Sequence, residues 1–213
     1  MIYIVSGRDA VRYPALMEQV HRLRHQVFVE ELGWNDLASP DGLERDQFDR
    51  PDAVHHICVR DNKVAGYQRM LPTVKPHLLS DVFPNLCEGP LPRGLDTYEL
   101  SRYCVAPSYR EGRRGRGSVG SELMAGGLEW ALACGVNKTV IEGETIWVLR
   151  WLQLKFLVRP LGFETQIENQ RIVATLLEFN RSTLQAIRDY RKHWSPVVTY
   201  LGELEEQHMA MAV

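Results

Sequence analysis

Apolar positions along the 213-residue chain change period several times. The opening Met1-Ile-Tyr-Ile-Val5 reads as a first strand over Ile2–Ser6. Leu16, Val20, Leu23 and Val27 recur at helical spacing, and Pro14 suits a first turn, so a helix is predicted from Pro14 to about Glu30. From Gly33 to Pro51 the period disappears into a long loop rich in Asp, Gly and Pro. Val54–Arg60 and Lys63–Leu71 form a hairpin turning at Asp61-Asn62. Four prolines break up the stretch from Thr73 to Gly94, after which Thr97–Val105 resumes a strand pattern.

The second half reads as a Gly/Arg loop over Arg110–Gly120, a helix from Ser118 to about Cys134 and a strand over Lys138–Glu142. Ile146 to Val158 is apolar on nearly every side and is predicted as one mostly buried helix. A closing hairpin over Phe163–Glu168 and Arg171–Phe179, turning at Asn169-Gln170, precedes a helix from Ser182, its expected cap, through Asp189. This order defines an α/β fold: a single three-layer domain over residues 1–202, with a mixed central β-sheet flanked by helices and a flexible tail over 203–213.

Composition narrows the functional classes. Hydrophobic residues at 45% and charged residues at 24% fit a globular chain and argue against disorder. A formal net charge of −2 gives no cationic field for nucleic acid or membrane, so neither is expected as a partner. Cys58, Cys87, Cys104 and Cys134 form no C-x-x-C pair, which points to a reducing cytoplasm rather than a disulfide framework or zinc ribbon. No segment approaches the roughly 20 apolar residues that span a bilayer. His55-His56 has no acid or cysteine at ligand spacing, so no metal is expected.

Two stretches carry chemistry. Arg24, Phe28 and Trp34, followed by Glu44, Asp46 and Asp49, mix aromatics, a guanidinium and carboxylates in a way that suits a lid or pocket wall. Core packing for the two rings, and structural salt bridges from the aspartates to Arg69 and Arg102, are the plainer alternatives. The second stretch is the loop with Arg110, Arg113, Arg114, Gly115, Arg116 and Gly117, whose glycines and arginines at a helix start suit a pyrophosphate. A basic surface loop docking an acidic protein or nucleic acid is the alternative there, the second disfavoured because no aromatics interleave the arginines. Cys104 reads as core in preference to nucleophile, because no histidine accompanies it. Trp147 and Trp151, one turn apart, suit core or an acyl pocket.

R-x-x-x-F at Arg24 and Phe28, Gly33-Trp34, E-x-D-x-x-D at Glu44, Asp46 and Asp49, then Arg69, Phe83 and E-L-S-R from Glu99 to Arg102 resemble the acyl-homoserine-lactone synthases, the autoinducer synthases of quorum sensing. The motifs cover roughly Met1 to Val105. The Gly/Arg loop is similar to the coenzyme A loop of the acyl-CoA N-acyltransferase fold, although Gly112 stands where that motif has a polar side chain. The resemblance implies that fold and two substrates, S-adenosylmethionine and an acyl thioester on coenzyme A or acyl-carrier protein, with no cofactor. It implies Arg24, Phe28, Trp34, Asp46, Asp49 and Arg69 around adenosylmethionine, Glu99 and Arg102 in catalysis, and Glu44, Phe83 and Ser101 in support. It further implies an acyl and phosphopantetheine site at Cys104, the Arg110–Gly117 loop and Trp147, in a monomer or weak dimer.

Chemistry supports the division independently. The nucleophile must be a neutral amine, and adenosylmethionine presents cations for acids and a carboxylate for an arginine. Glu99 on its strand is expected to accept the amine proton directly or through water, and a backbone N–H at a strand irregularity beside Cys104 is expected to meet the thioester oxygen. An acetyl-CoA N-acetyltransferase and a non-catalytic module that binds coenzyme A or acyl-carrier protein are the rival readings; neither calls for the acids and arginines of the first half in this order.

Overall fold

Strand β1 (Ile2–Ser6) buries Ile2, Ile4 and Val5 in a computed structural model that describes residues 1–110 and 118–203. The expected hairpin follows as β2 (Val54–Arg60) and β3 (Lys63–Pro72). Asp61 and Asn62 between them take φ of 50° and 59°, the conformation whose twist suits a two-residue hairpin turn. Both His55 and His56 are buried, so β2 is covered on both faces.

The chain divides into two units. The first comprises Met1–Arg69, Arg102–Trp130 and Ser195 onward. In it β1 pairs antiparallel with β2, placing Ile4 opposite His56, and parallel with β9 (Val198–Tyr200), placing Ile2 opposite Val198. Helix α1 (Pro14–Arg24) starts at the expected proline and continues as a π-helical segment, His25–Glu31. Val20, Leu23, Val27 and Phe28 from these two segments pack with Val5, Ile57, Val64 and Tyr67 into one apolar cluster. Gly66 lets the helix that begins at Val119 approach β3, since a Cβ there would lie 2.6 Å from the Val119 side chain.

The second unit comprises Met70–Ser101 and Ala131–Trp194. Its sheet is also mixed: β4 (Thr97–Val105) enters it parallel to β5 (Lys138–Glu144), with Glu99 opposite Val140, and β5 is antiparallel to β8 (Gln170–Glu178). Strands β6 (Leu157–Pro160) and β7 (Thr165–Ile167) pair with β8. Leu79, Leu86, Val140, Ala174 and Leu176 form its apolar cluster. A short helix α2 (Leu78–Asp81) lies in the proline-rich stretch read as irregular. Helix α3 (Val119–Ala133) begins in the first unit and ends in the second.

Several expectations give way. Helix α4 is only Ile146–Gln153, because Lys155 takes a φ of 64° and Leu157–Pro160 leaves to pair with β8. Nor is it mostly buried: Trp151 is covered, whereas Ile146, Leu149 and Leu152 are 74%, 68% and 51% exposed. Helix α5 (Arg181–Arg191) is capped by Asn180, which accepts from the Ser182 N–H in a capping box with Thr183, so Ser182 lies inside the helix. The last hairpin turns one residue earlier than expected, since Ile167 pairs with Gln170. Glu203, where the tail was expected to fray, is tied by its N–H to Asp9 Oδ2 at 2.9 Å; residues 204–213 lie outside the described residues. No described helix is long and apolar enough to cross a membrane.

Candidate active site

Arg24 ends α1 fully buried, and the wider π turn after it carries Phe28 into the first unit's apolar cluster, against which Trp34 and Leu37 of the long loop pack. π segments often mark functional positions in helices. The loop supplies the acids. Glu44 is tied to the helix by its own N–H, which donates to the His21 carbonyl at 3.1 Å. Asp46 accepts from the Phe48 N–H at 2.8 Å and Asp49 accepts from the Asp46 N–H at 3.0 Å, a pair of local bonds that fixes both carboxylates.

Three arginines meet these three acids in a closed set. Arg24 donates from Nε to Glu44 and from one terminal nitrogen to Asp49 at 2.7 Å, while its other terminal nitrogen faces Asp46 at 3.6 Å. Arg69 donates to Asp46 at 2.6 and 2.9 Å and to Asp49 at 2.6 Å. Arg102 donates to Glu44 at 3.1 Å and pairs with Asp46 at 2.8 Å. Arg24, Arg69 and Glu44 are fully buried. Burial alone would raise the aspartate pKa values, but the Arg69 guanidinium lowers Asp46, and Arg24 with Arg69 hold Asp49 well below the usual range. The same partners hold Arg69 more firmly protonated despite its burial.

Aromatic rings line the guanidinium cluster. Arg24 lies 5.7 Å from the Tyr67 ring centre, Arg102 5.4 Å from that of Phe28, and Arg69 6.0 Å from that of Phe48. Phe28 stacks on Trp34 at 5.2 Å and 21°. Gly33, at φ +75°, turns the chain so that the Trp34 N–H reaches the Phe28 carbonyl at 2.9 Å. Tyr67 and Phe48 were not singled out from the sequence, where they look like ordinary strand and loop apolar residues.

Strand β4 is irregular where the sequence reading sought an irregularity. Thr97, Glu99 and Ser101 are buried in alternation, then the phase slips so that Cys104 is the next buried residue. Arg102, at φ 54°, makes the slip, in the manner of a β-bulge. Burial pushes the Cys104 thiol up to about 12, which removes it as a nucleophile at neutral pH.

Of the other expected residues, Glu99 is fully buried in the second unit, where its two oxygens accept the Leu78 and Leu79 N–H groups at 2.7 Å each. Phe83 packs against that unit's apolar cluster, Ser101 is buried on β4, and Trp147 on α4 is 39% exposed. Arg110 is engaged by its own neighbours, donating to the Val105 carbonyl at 2.8 Å and to Glu31 at 2.7 Å. Arg113, Arg114, Gly115, Arg116 and Gly117 lie outside the described residues. Among the described residues no group of three His, Cys, Asp or Glu side chains could hold a metal ion.

The fold is that of the acyl-CoA N-acyltransferases: one such enzyme from Pseudomonas aeruginosa superposes with a TM-score of 0.56 at 15% identity, over 83% of this chain and 97% of its own. Within that class, the chain belongs to the autoinducer synthase family, whose model matches residues 9–187. It is 35% identical over 193 residues to an isovaleryl-homoserine lactone synthase of Bradyrhizobium diazoefficiens, covering 89% of this chain and 84% of that one. An acyl-homoserine-lactone synthase of Pseudomonas aeruginosa is 27% identical over 91% of this chain and 95% of its own. The structure of the CoA-dependent acyl-homoserine lactone synthase BjaI with SAM and isopentyl-CoA superposes with a TM-score of 0.87 at 33% identity, over 100% of this chain and 99% of that one.

Proposed function

We propose that this autoinducer synthase transfers an acyl group from an acyl-CoA to the amine of S-adenosylmethionine, after which the product closes to an N-acyl-L-homoserine lactone with release of 5′-methylthioadenosine. The observation that carries this reading is the end-to-end likeness to a synthase solved with SAM and isopentyl-CoA. The choice of coenzyme A over acyl-carrier protein rests on the likeness to two CoA-dependent synthases, at TM-scores of 0.87 and 0.84. Both small molecules are substrates, so no resident cofactor is needed. The synthase domain is taken as residues 1–202, in a cytoplasmic monomer or weak dimer.

The geometry supports a division of roles. Glu44, Asp46 and Asp49 are already matched by Arg24, Arg69 and Arg102, so the network serves first to hold the loop as a wall of the adenosylmethionine site. A guanidinium in that wall suits the substrate carboxylate, and the Phe28–Trp34 stack offers ring faces to the sulfonium and adenine. Glu99 bears on the amine, and the bulge at Arg102 offers the backbone N–H for the thioester oxygen beside Cys104. Phe83, Ser101 and Trp147 serve the acyl side, and the arginine loop takes the coenzyme A phosphates. Lactonisation then needs a folded substrate whose own carboxylate displaces methylthioadenosine at the γ-carbon.

The test is to incubate the purified protein with adenosylmethionine and parallel panels of acyl-CoA and acyl-carrier-protein donors, and to measure methylthioadenosine. Release with a short or branched acyl-CoA is the expected result. Release with the carrier-protein series alone would overturn the choice of donor, and release with neither would overturn the function.

A further inference from the structure

Strand β5 carries one acid into apolar surroundings. Glu142 lies opposite Ala174 on β8, flanked there by Val173 and Thr175, so that neighbour brings it no cation. On the other side β4 runs parallel in register, with Glu99 opposite Val140; the two-residue period of a strand then places Glu99, Val140 and Glu142 on one face. The two acids are held differently. Both Glu99 oxygens already accept backbone N–H groups of α2. Glu142 Oε1 is buried and has no hydrogen-bond partner among the described residues. Burial first, and the charge of Glu99 second, push the Glu142 carboxyl well above the usual carboxylate range. A carboxyl with one oxygen buried and unpartnered, beside an anion that two donors hold, is the arrangement in which the first acid keeps a proton.

We infer that Glu142 is a second acid–base residue of the acyl transfer, giving its proton to the departing sulfur and recovering one from the new amide nitrogen. The inference rests on the synthase reading above. The neutral amine forms the N–C bond at the thioester carbonyl, and the C–S bond breaks with its electron pair passing to sulfur. The Glu142 O–H proton goes to that sulfur, yielding the free thiol. The Glu142 carboxylate so formed takes the surplus proton from nitrogen, leaving amide and thiol as products and Glu142 protonated as it began. Glu99, tied to α2, keeps its place at the amine, and its charge keeps the proton on Glu142 between turnovers. A lone glutamate inside the apolar run Val140-Ile-Glu-Gly143 was the signal available in the sequence.

Glu142→Gln tests this, because glutamine copies the shape of the protonated acid but moves no proton. The expected result is a fall in kcat of about 10²–10⁴-fold, the usual range for a lost general acid–base group. KM for both substrates should stay within about threefold, because binding is untouched. Infrared spectra should show the carbonyl band of a protonated carboxylic acid at neutral pH in the wild type and not in Glu142→Gln. The wild-type spectrum is read whether or not the variant folds. A variant with kcat within about threefold of wild type overturns the inference and leaves the synthase reading intact. Absence of the infrared band from the wild type overturns it equally. A wild type that releases no methylthioadenosine overturns the synthase reading and the inference together.

Discussion

At the scale of single residues, the fate of each charge depends on how deeply it is buried. Glu44 has no solvent exposure and joins Arg24 to Arg102. Glu44→Gln would leave the buried cluster with three guanidinium groups and two carboxylates, and uncovering one buried charge in this way costs about 3–5 kcal/mol. Thermal unfolding should show a Tm lowered by roughly 6–20 °C, taking about 2–4 °C per kcal/mol for a chain of this size. Glu31→Gln, which removes a half-exposed pair with Arg110, should cost less than about 1 kcal/mol. Equal losses would show that the network is not a buried unit. The buried histidines add a pH dependence of definite sign. Burial lowers His21 to about 4 and His55 and His56 to about 3, so the folded state keeps them neutral where the unfolded chain is protonated. Their stability is therefore complete above the unfolded pKa of about 6.5 and is lost as pH falls toward the folded values. Three such groups set a limiting slope of about 4 kcal/mol per pH unit within that window. Denaturant titrations at pH 7, 6 and 5 check this, and a flat profile would contradict it.

Among the elements, the turn out of the π segment makes the most specific demand on sequence. Gly33 sits at φ +75° with nothing within 4 Å of the place a Cβ would take, so Gly33→Ala meets backbone strain and no clash. A loss of about 1–2 kcal/mol is expected, readable by denaturant unfolding, with the Phe28–Trp34 stack retained in the tryptophan fluorescence. A loss well above that range would mean that the stack itself depends on glycine. Elements whose signal lies in local period were legible in the sequence: β1, α1, the β2–β3 hairpin, β4 and α3. The three-residue β9 and the four-residue β6 were not, because such short strands are defined by the partner they pair with, β1 for the one and β8 for the other. The apolar run after Thr145 misled for a physical reason, since periodicity cannot tell a buried helix from an exposed one followed by a strand. The acids and arginines of the network were legible as residue types at motif spacing. Pairing of the aspartates with Arg69 and Arg102 was among the alternatives the sequence offered, whereas the place of Glu44 between Arg24 and Arg102 was not, because it depends on distances that no local pattern encodes.

For the whole molecule, the division into two units suggests how two substrates should register separately. The residues proposed for adenosylmethionine, Arg24, Phe28, Trp34, Asp46, Asp49 and Arg69, all lie in the first unit, whereas Phe83, Glu99, Ser101, Glu142 and Trp147 lie in the second. Local opening of a native protein is suppressed where a ligand adds contacts, and hydrogen exchange reads that suppression segment by segment. Adenosylmethionine alone should therefore slow exchange over the π segment and the loop through Asp49. Two acyl-CoA donors that differ only in chain length share every coenzyme A contact, so the difference between their exchange patterns isolates the acyl group. That difference should fall on α4 and the strands beside it, where Ile146, Leu149 and Leu152 stand exposed and a longer chain finds apolar surface to cover. Stabilisation should follow the same separation, with saturation at about 100 times Kd adding roughly 2.7 kcal/mol for each ligand. A chain-length difference confined to residues 24–49 would reassign the acyl group to the first unit and move Trp147 out of the site.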